Sequence, residues 1–161
     1  MKVEKLAELL VAKNKTVSVA EACTCGLLGY MLSTVPGSSR YFPGGVVAYT
    51  GGLKERILAV PDSTYETFGS VSKEMAMAMA NGVRELTGTD YALSTTGVAG
   101  PAQGSSHYPV GTFFVGISIK DGGSTAKEIH VPGDREATKR GAAQAALELL
   151  GQHLEGSGES L

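Results

Sequence analysis

The chain has 161 residues, of which 42% are apolar and 19% charged, a size and balance that fit one soluble globular domain around one core. Its net charge is −2 and no stretch gathers Lys and Arg into a basic stripe, which argues against nucleic acid as a partner, because phosphate neutralisation needs clustered cations. A small anionic ligand, which needs only a few well-placed donors, stays open.

In chain order, Leu6, Leu9, Leu10 and Ala12 form a helical stripe that Asn14 and Lys15 end. Thr16 to Ala20 alternates and is β-branched, the mark of a short strand. A turn from Glu21 to Thr24 leads into a helix through Leu27, Leu28, Met31 and Leu32, which Pro36-Gly37-Ser38-Ser39 stops. Gly44 to Tyr49 reads as a second strand and Leu53 to Leu58 as a short helix. Another short helix starts at Pro61, with Asp62 or Ser63 as its cap. Ser72 caps a longer helix whose Met75, Met79, Val83 and Leu86 form an apolar face, read as core. Asp90 to Thr96 is a third strand that runs into a glycine-rich loop, Gly97 to Pro109. Val110 to Ile119 and Thr125 to Val131 pair as a hairpin around Asp121-Gly122-Gly123-Ser124. Pro132-Gly133-Asp134 then opens a last helix, with Ala143, Ala146, Leu147 and Leu150 facing the sheet. The alternation predicts an α/β fold with helices on both faces of a mixed sheet. One domain is expected over 1–153, followed by a disordered tail at 154–161.

The opening segment is no signal peptide, since Glu4 and Glu8 interrupt any apolar run, and no run is long enough to span a bilayer. A cytoplasmic protein without a membrane partner is expected. Cys23 and Cys25 are the only cysteines and are poorly spaced to bond each other. With His107, His130 and His153 scattered, no metal site is expected.

Four motifs carry possible chemistry. Glu21-Ala22-Cys23-Thr24-Cys25-Gly26 joins a strand to a helix, where free N–H groups can hold an anion or oxyanion. Its plainer reading is a helix cap by Glu21 or Thr24, and spacing alone favours that. Tyr49 and Lys54 flank a glycine turn, and a buried lysine beside a hydroxyl can accept its proton. Thr96 leads into Gly97-Val98-Ala99-Gly100-Pro101, with Gly104 following, where main-chain donors can approach a ligand closely. The loop lacks the lysine of a P-loop, which excludes nucleotide triphosphate hydrolysis by that route. Asp134 and Arg135 begin the last helix, Asp134 as a cap and Arg135 within reach of an anion.

Taken together, the order of these motifs, with Pro36-Gly37-Ser38-Ser39 and Pro109-Val110-Gly111-Thr112 between them, closely resembles the CinA C-terminal family over nearly the whole chain. Stand-alone members of that family are nicotinamide-mononucleotide amidohydrolases, which release ammonia from the nicotinamide carboxamide. The resemblance implies a three-layer α/β/α sandwich, a homo-oligomer, a pyridine nucleotide as small-molecule ligand, and neither cofactor nor metal. It implies a serine nucleophile, with Lys54 and Tyr49 handling protons and the backbone near Cys23 and Thr24 holding the oxyanion. Glu21, Thr96, Gly97, Ala99, Gly100, Gly104 and Arg135 would hold the substrate.

The chain departs from the family pattern where the chemistry lies. The family serine position is Ala22, which cannot form an acyl-enzyme. Cys25 stands where the family keeps a glycine, Gln103-Gly104 where it keeps paired glycines, and Tyr108 and Lys139 where it keeps a lysine and an arginine. Three explanations compete: an engineered silencing, a change to weak or no hydrolysis with a nucleotide-binding or regulatory role, and transfer of the nucleophile to Cys23, Cys25 or Thr24. The second is favoured, because the departures extend into the binding loop.

Overall fold

A computed structural model describes residues 1–156. Five strands form one sheet in the order β2-β1-β3-β4-β5: β1 (Val17–Glu21), β2 (Gly44–Val47), β3 (Tyr91–Gly97), β4 (Thr112–Ile119) and β5 (Gly123–His130). β1 runs parallel to both β2 and β3, and the β3-β4-β5 side is antiparallel. Helices α1 (Val3–Ala12), α2 (Leu27–Ser33) and α6 (Arg135–Glu155) cover one face. Helices α3 (Gly51–Leu58), α4 (Asp62–Phe68) and α5 (Lys73–Thr87) cover the other. This is the α/β/α sandwich with a mixed sheet that the sequence predicts.

The two faces of the sheet differ in side-chain size. Toward α1, α2 and α6, the alternating positions Val17, Val19, Tyr91, Leu93, Val115 and Ile117 pack against Leu6, Leu28, Leu147 and Leu150. Toward α5 the intervening positions are small: Ser18, Ala20, Ala92, Ser94 and Gly116. Small residues let the α5 backbone approach the sheet, so that the Ser94 hydroxyl donates to the Ala76 carbonyl at 2.5 Å. A Cβ on Gly116 would meet that carbonyl oxygen at 2.7 Å. On its far side, α5 is met just as closely at Gly82, where a Cβ would overlap the Leu58 carbonyl at the end of α3.

Ser72 caps α5 by accepting from the Met75 amide at 3.1 Å, and Gly88 ends it at φ 70°. Along α5 the buried stripe is Met75, Met79 and Val83. The expected fourth member, Leu86, is 58% exposed. A four-residue step from Val83 reaches Thr87, whose hydroxyl bonds Ser18 Oγ at 2.9 Å, so a polar residue completes the stripe. At α4 neither Asp62 nor Ser63 caps. Pro61 holds the cap position and Asp62 is the first-turn acid, which the positive end of the helix dipole favours. α6 runs through Glu155 and buries Leu154 completely, two residues into the expected tail. The rest of that tail, 157–161, lies outside the described residues. No helix of the described chain is long and apolar enough to cross a membrane.

Because the Gly82 contact is backbone against backbone, neither side can yield by a rotamer change. Gly82→Ala is expected to lower stability by about 3 kcal/mol, read as a lower urea midpoint with an unchanged slope.

Candidate functional site

The three parallel strands end at one edge of the sheet, and the segments that follow them form the site. β2 leads to Tyr49, β1 to the turn at 22–26, and β3 to the loop at 98–111. Ligands of open α/β sheets collect at such carboxyl ends.

Glu21 sets the turn after β1. Its carboxylate, 1% exposed, accepts from the Thr24 hydroxyl at 2.6 Å and from the amides of Leu28 at 2.8 Å and Gly29 at 3.0 Å. Those amides open α2 and have no intrahelical partner, so the carboxylate caps the helix from a distance in sequence. Thr24 spends its one proton on Glu21, and the Thr95 hydroxyl at 2.6 Å therefore donates to Thr24. The Ala22 amide donates to the Thr95 carbonyl at 3.0 Å, and the Ala22 carbonyl accepts from the Cys25 amide at 3.1 Å. The Ala22 methyl belongs to an apolar cluster with Ala48, Leu58, Val60 and Met75. Among the described residues the amides of Cys23 and Thr24 donate to no other residue. They are the donors this turn can offer an anion.

A cavity of about 220 Å³ is lined by Cys23, Tyr49, residues 97–100 and Arg135, with no carboxylate among its walls. Arg135 Nη1 donates to the Gly100 carbonyl at 2.6 Å and Nη2 to the Tyr49 hydroxyl at 3.0 Å. One turn along α6, Thr138 donates to the Ala99 carbonyl at 2.9 Å. The start of α6, capped by Asp134 through the Ala137 amide at 2.9 Å, is thereby stitched to the glycine-rich loop. A wider cleft of about 630 Å³ shares Arg135 and adds Lys139, Arg140, Thr24 and Cys25.

Lys54, in α3, is 2% exposed. Its ammonium makes no hydrogen bond or ion pair among the described residues, yet its tip is not sealed from solvent. Burial pushes its pKa below the ordinary lysine range, and nearness to Cys23 acts the other way. Burial also pushes the Cys23 thiol up to about 11, against the pull of its own amide and of Lys54, Lys139 and Arg135. At neutral pH that thiol stays protonated.

These contacts correct several expectations. Tyr49 does not pair with Lys54: its hydroxyl is taken by Arg135, and it lies half exposed while Lys54 is buried. At Cys23 burial outweighs the neighbouring cations, which disfavours it as an activated nucleophile. The hydroxyl of Thr24 and the carboxylate of Glu21 are spent on the turn rather than on a ligand. Thr96, 1% exposed, donates to the Ser70 carbonyl at 2.6 Å and holds the approach to α5. Gly97, Ala99, Gly100 and Arg135 line the cavity, whereas Gly104, at φ 64°, turns the loop and is not among the walls. Tyr108 packs edge-on against Phe114, with ring centroids 5.2 Å apart. Gln103 does line the cavity, its amide donating to the Ser106 carbonyl at 2.8 Å. Sequence reasoning missed Thr95 and Thr138. Thr138 was detectable, three residues after Arg135 on one helix face; nothing but strand alternation marks Thr95.

The family model of the CinA C-terminal domain matches residues 2–154. The chain belongs to this family. A CinA-like protein of Leptospira biflexa serovar Patoc is 44% identical over 149 residues, covering 92% of this chain and 36% of that protein. A CinA-like protein of Syntrophomonas wolfei is 44% identical over 154 residues, covering 95% and 36%. This CinA domain thus spans little more than a third of the length of those curated relatives. Among solved structures, a competence-damaged protein (CinA) superfamily protein of Klebsiella pneumoniae superposes with a TM-score of 0.91 at 28% identity, covering 95% of both chains. One from Escherichia coli gives 0.89 at 31% identity, covering 93% of this chain and 87% of that one.

Two outcomes follow for the turn of this CinA domain. Iodoacetamide at neutral pH is expected to label exposed Cys25 and spare Cys23 in the folded protein; peptide mass spectrometry reads the ratio. Glu21→Ala leaves two buried amides and a hydroxyl without an acceptor. It should cost about 3 kcal/mol in urea unfolding.

Proposed function

We propose that this CinA domain is a cytoplasmic protein that binds a pyridine mononucleotide and hydrolyses its carboxamide weakly or not at all. Ala22 carries the reading. It follows the end of β1, its methyl in an apolar cluster, next to the amides of Cys23 and Thr24, which donate to no other residue among those described, and Lys54 acts electrostatically on the adjoining Cys23. On this reading each part of an acyl-transfer site has a candidate residue except the atom that attacks. A serine at that position would add its oxygen to the carboxamide carbon. Lys54 would take the serine proton and pass it to departing ammonia, while the amides of Cys23 and Thr24 received the oxyanion. Water would then release the acid. Ala22 has no such oxygen, the Cys23 thiol is held protonated by burial, and the Thr24 proton is committed to Glu21. Cys23 and Thr24 are thereby disfavoured as its replacement, and exposed Cys25 lies outside the walls of the smaller cavity.

The cavity supports a ring with its ribose near Cys23 and residues 97–100. Arg135 and Lys139, which share the wider cleft, support a phosphate. Tyr108, turned onto Phe114, takes no part in this reading.

The test measures ammonia released from nicotinamide mononucleotide by the unaltered chain and by Ala22→Ser. The unaltered chain is expected at background and the variant clearly above it. Adding Lys54→Met to the serine variant should return it to background. In a thermal-shift series, a ligand present at about 100-fold its Kd adds about 2.7 kcal/mol of stability. No shift with this mononucleotide, alongside a shift with another nucleotide, would reassign the pocket to that other ligand.

A further inference from the structure

Arg135 is a wall of two cavities. The smaller, of about 220 Å³, is below the roughly 300–1,000 Å³ of sites that enclose a small molecule. The wider cleft, of about 630 Å³, lies between the starts of α2 and α6. Its two sides differ in chemistry. On the α6 side stand Arg135, Lys139 and Arg140, with Glu136 the one carboxylate. Glu136 is spent on Arg140, its Oε1 accepting from Nε at 3.0 Å and from Nη2 at 2.9 Å. Lys139, half-buried, makes no hydrogen bond or ion pair among the described residues. Arg135 and Lys139 thus carry the positive charge that remains. On the α2 side stand Leu27 and Tyr30, and Tyr30 is 66% exposed.

A mononucleotide uses only part of this space. With its ring and ribose in the smaller cavity, its phosphate meets Arg135 and Lys139 and is its last group. Nothing then covers Leu27 and Tyr30. A planar base joined through a second phosphate does cover them. The pyrophosphate runs along the cations of α6, and the base stacks on the Tyr30 ring, a contact every base can make through its π-face. Resting on the mononucleotide reading above, we infer that the ligand of this site is a pyridine dinucleotide, the mononucleotide joined by a pyrophosphate to a purine nucleotide, with the purine half in the cleft between α2 and α6 and its base on Tyr30. Cys25, exposed and among the same walls, is covered when that half is bound.

Isothermal titration of the full chain compares nicotinamide mononucleotide, nicotinamide adenine dinucleotide and adenosine diphosphate ribose, which lacks the pyridine ring. The dinucleotide should give a Kd at least about tenfold below that of the mononucleotide. Tyr30→Ala should bring the two values together, and Tyr30→Phe should keep them apart; the side chain is exposed, so both variants keep the fold. Near saturation the dinucleotide should slow iodoacetamide labelling of Cys25, and the mononucleotide at equal saturation should slow it far less. Equal Kd values on the unaltered chain, or a tighter mononucleotide, overturn the inference and leave the mononucleotide reading standing. An advantage that survives in Tyr30→Ala, or a dinucleotide complex in which Cys25 is labelled at its free rate, overturns the place given to the purine half. Adenosine diphosphate ribose binding as tightly as the dinucleotide leaves the pyridine ring without a contribution and removes the mononucleotide reading together with this inference. Failure of all three ligands to bind removes both as well.

Discussion

One buried carboxylate fixes where everything else at the site can be. Glu21 ends β1 at the middle of the parallel strands, and its two oxygens hold Thr24 and the first amides of α2. Burying a charge this completely is tolerable only because each oxygen is satisfied. The consequence is a backbone at 22–26 with little freedom, including a left-handed Cys25 at φ 50° followed by a left-handed Gly26 at 93°. A side chain in that conformation costs on the order of 1 kcal/mol. The network around Glu21 is what holds the turn against that cost. Thr95 extends the same network onto β3, so the ends of two strands move as one unit.

The burial of Lys54 has a different origin, in backbone approach. Small residues on one face of the sheet admit α5, and Gly82 on α5 admits the Leu58 carbonyl at the end of α3. The Val60 amide then bonds back to the Lys54 carbonyl at 3.2 Å. A larger residue at any of these contacts pushes α3 outward and carries Lys54 toward water. Residues at the packing of α3 on α5 and of α5 on the sheet therefore set how deeply Lys54 is buried. That burial cannot be read from the sequence of α3 alone.

Much of the fold was legible because its periodicities are strong. Met75, Met79 and Val83 step by four and are buried. Ser72 and Asp134 cap the helices expected of them, and strands β1 and β3 differ from expectation by a residue or so. Failures fall where a neighbour in space, not in sequence, decides. Leu86 belongs to a helical stripe by hydrophobicity, but the helix angle gives the position to Thr87, whose hydroxyl finds Ser18 across the sheet. Tyr49 and Lys54 look paired by spacing, yet α3 turns one inward while Arg135, eighty-six residues away, claims the other. A lowered thiol pKa at a helix start is a fair rule for exposed cysteines. At Cys23 desolvation reverses it. The capping reading of Glu21 that spacing favoured is the one the contacts support.

Loss of a nucleophile is usually read as loss of function, but the electrostatics here separate two roles that one serine would combine. A hydroxyl at position 22 would both attack an amide and give the Lys54 ammonium a nearby acceptor. Its absence stops the attack and also removes the acceptor. Removing one partner from a buried polar pair costs more than removing both, so a buried Lys54 with no hydroxyl at position 22 needs a physical compensation. Burial of the lysine lowers the cost by favouring its neutral form, but the neutral amine still lacks an acceptor among the described residues. Because the tip of the side chain is open to solvent, water can supply that acceptor, and burial of the lysine stem is compatible with a methyl at position 22.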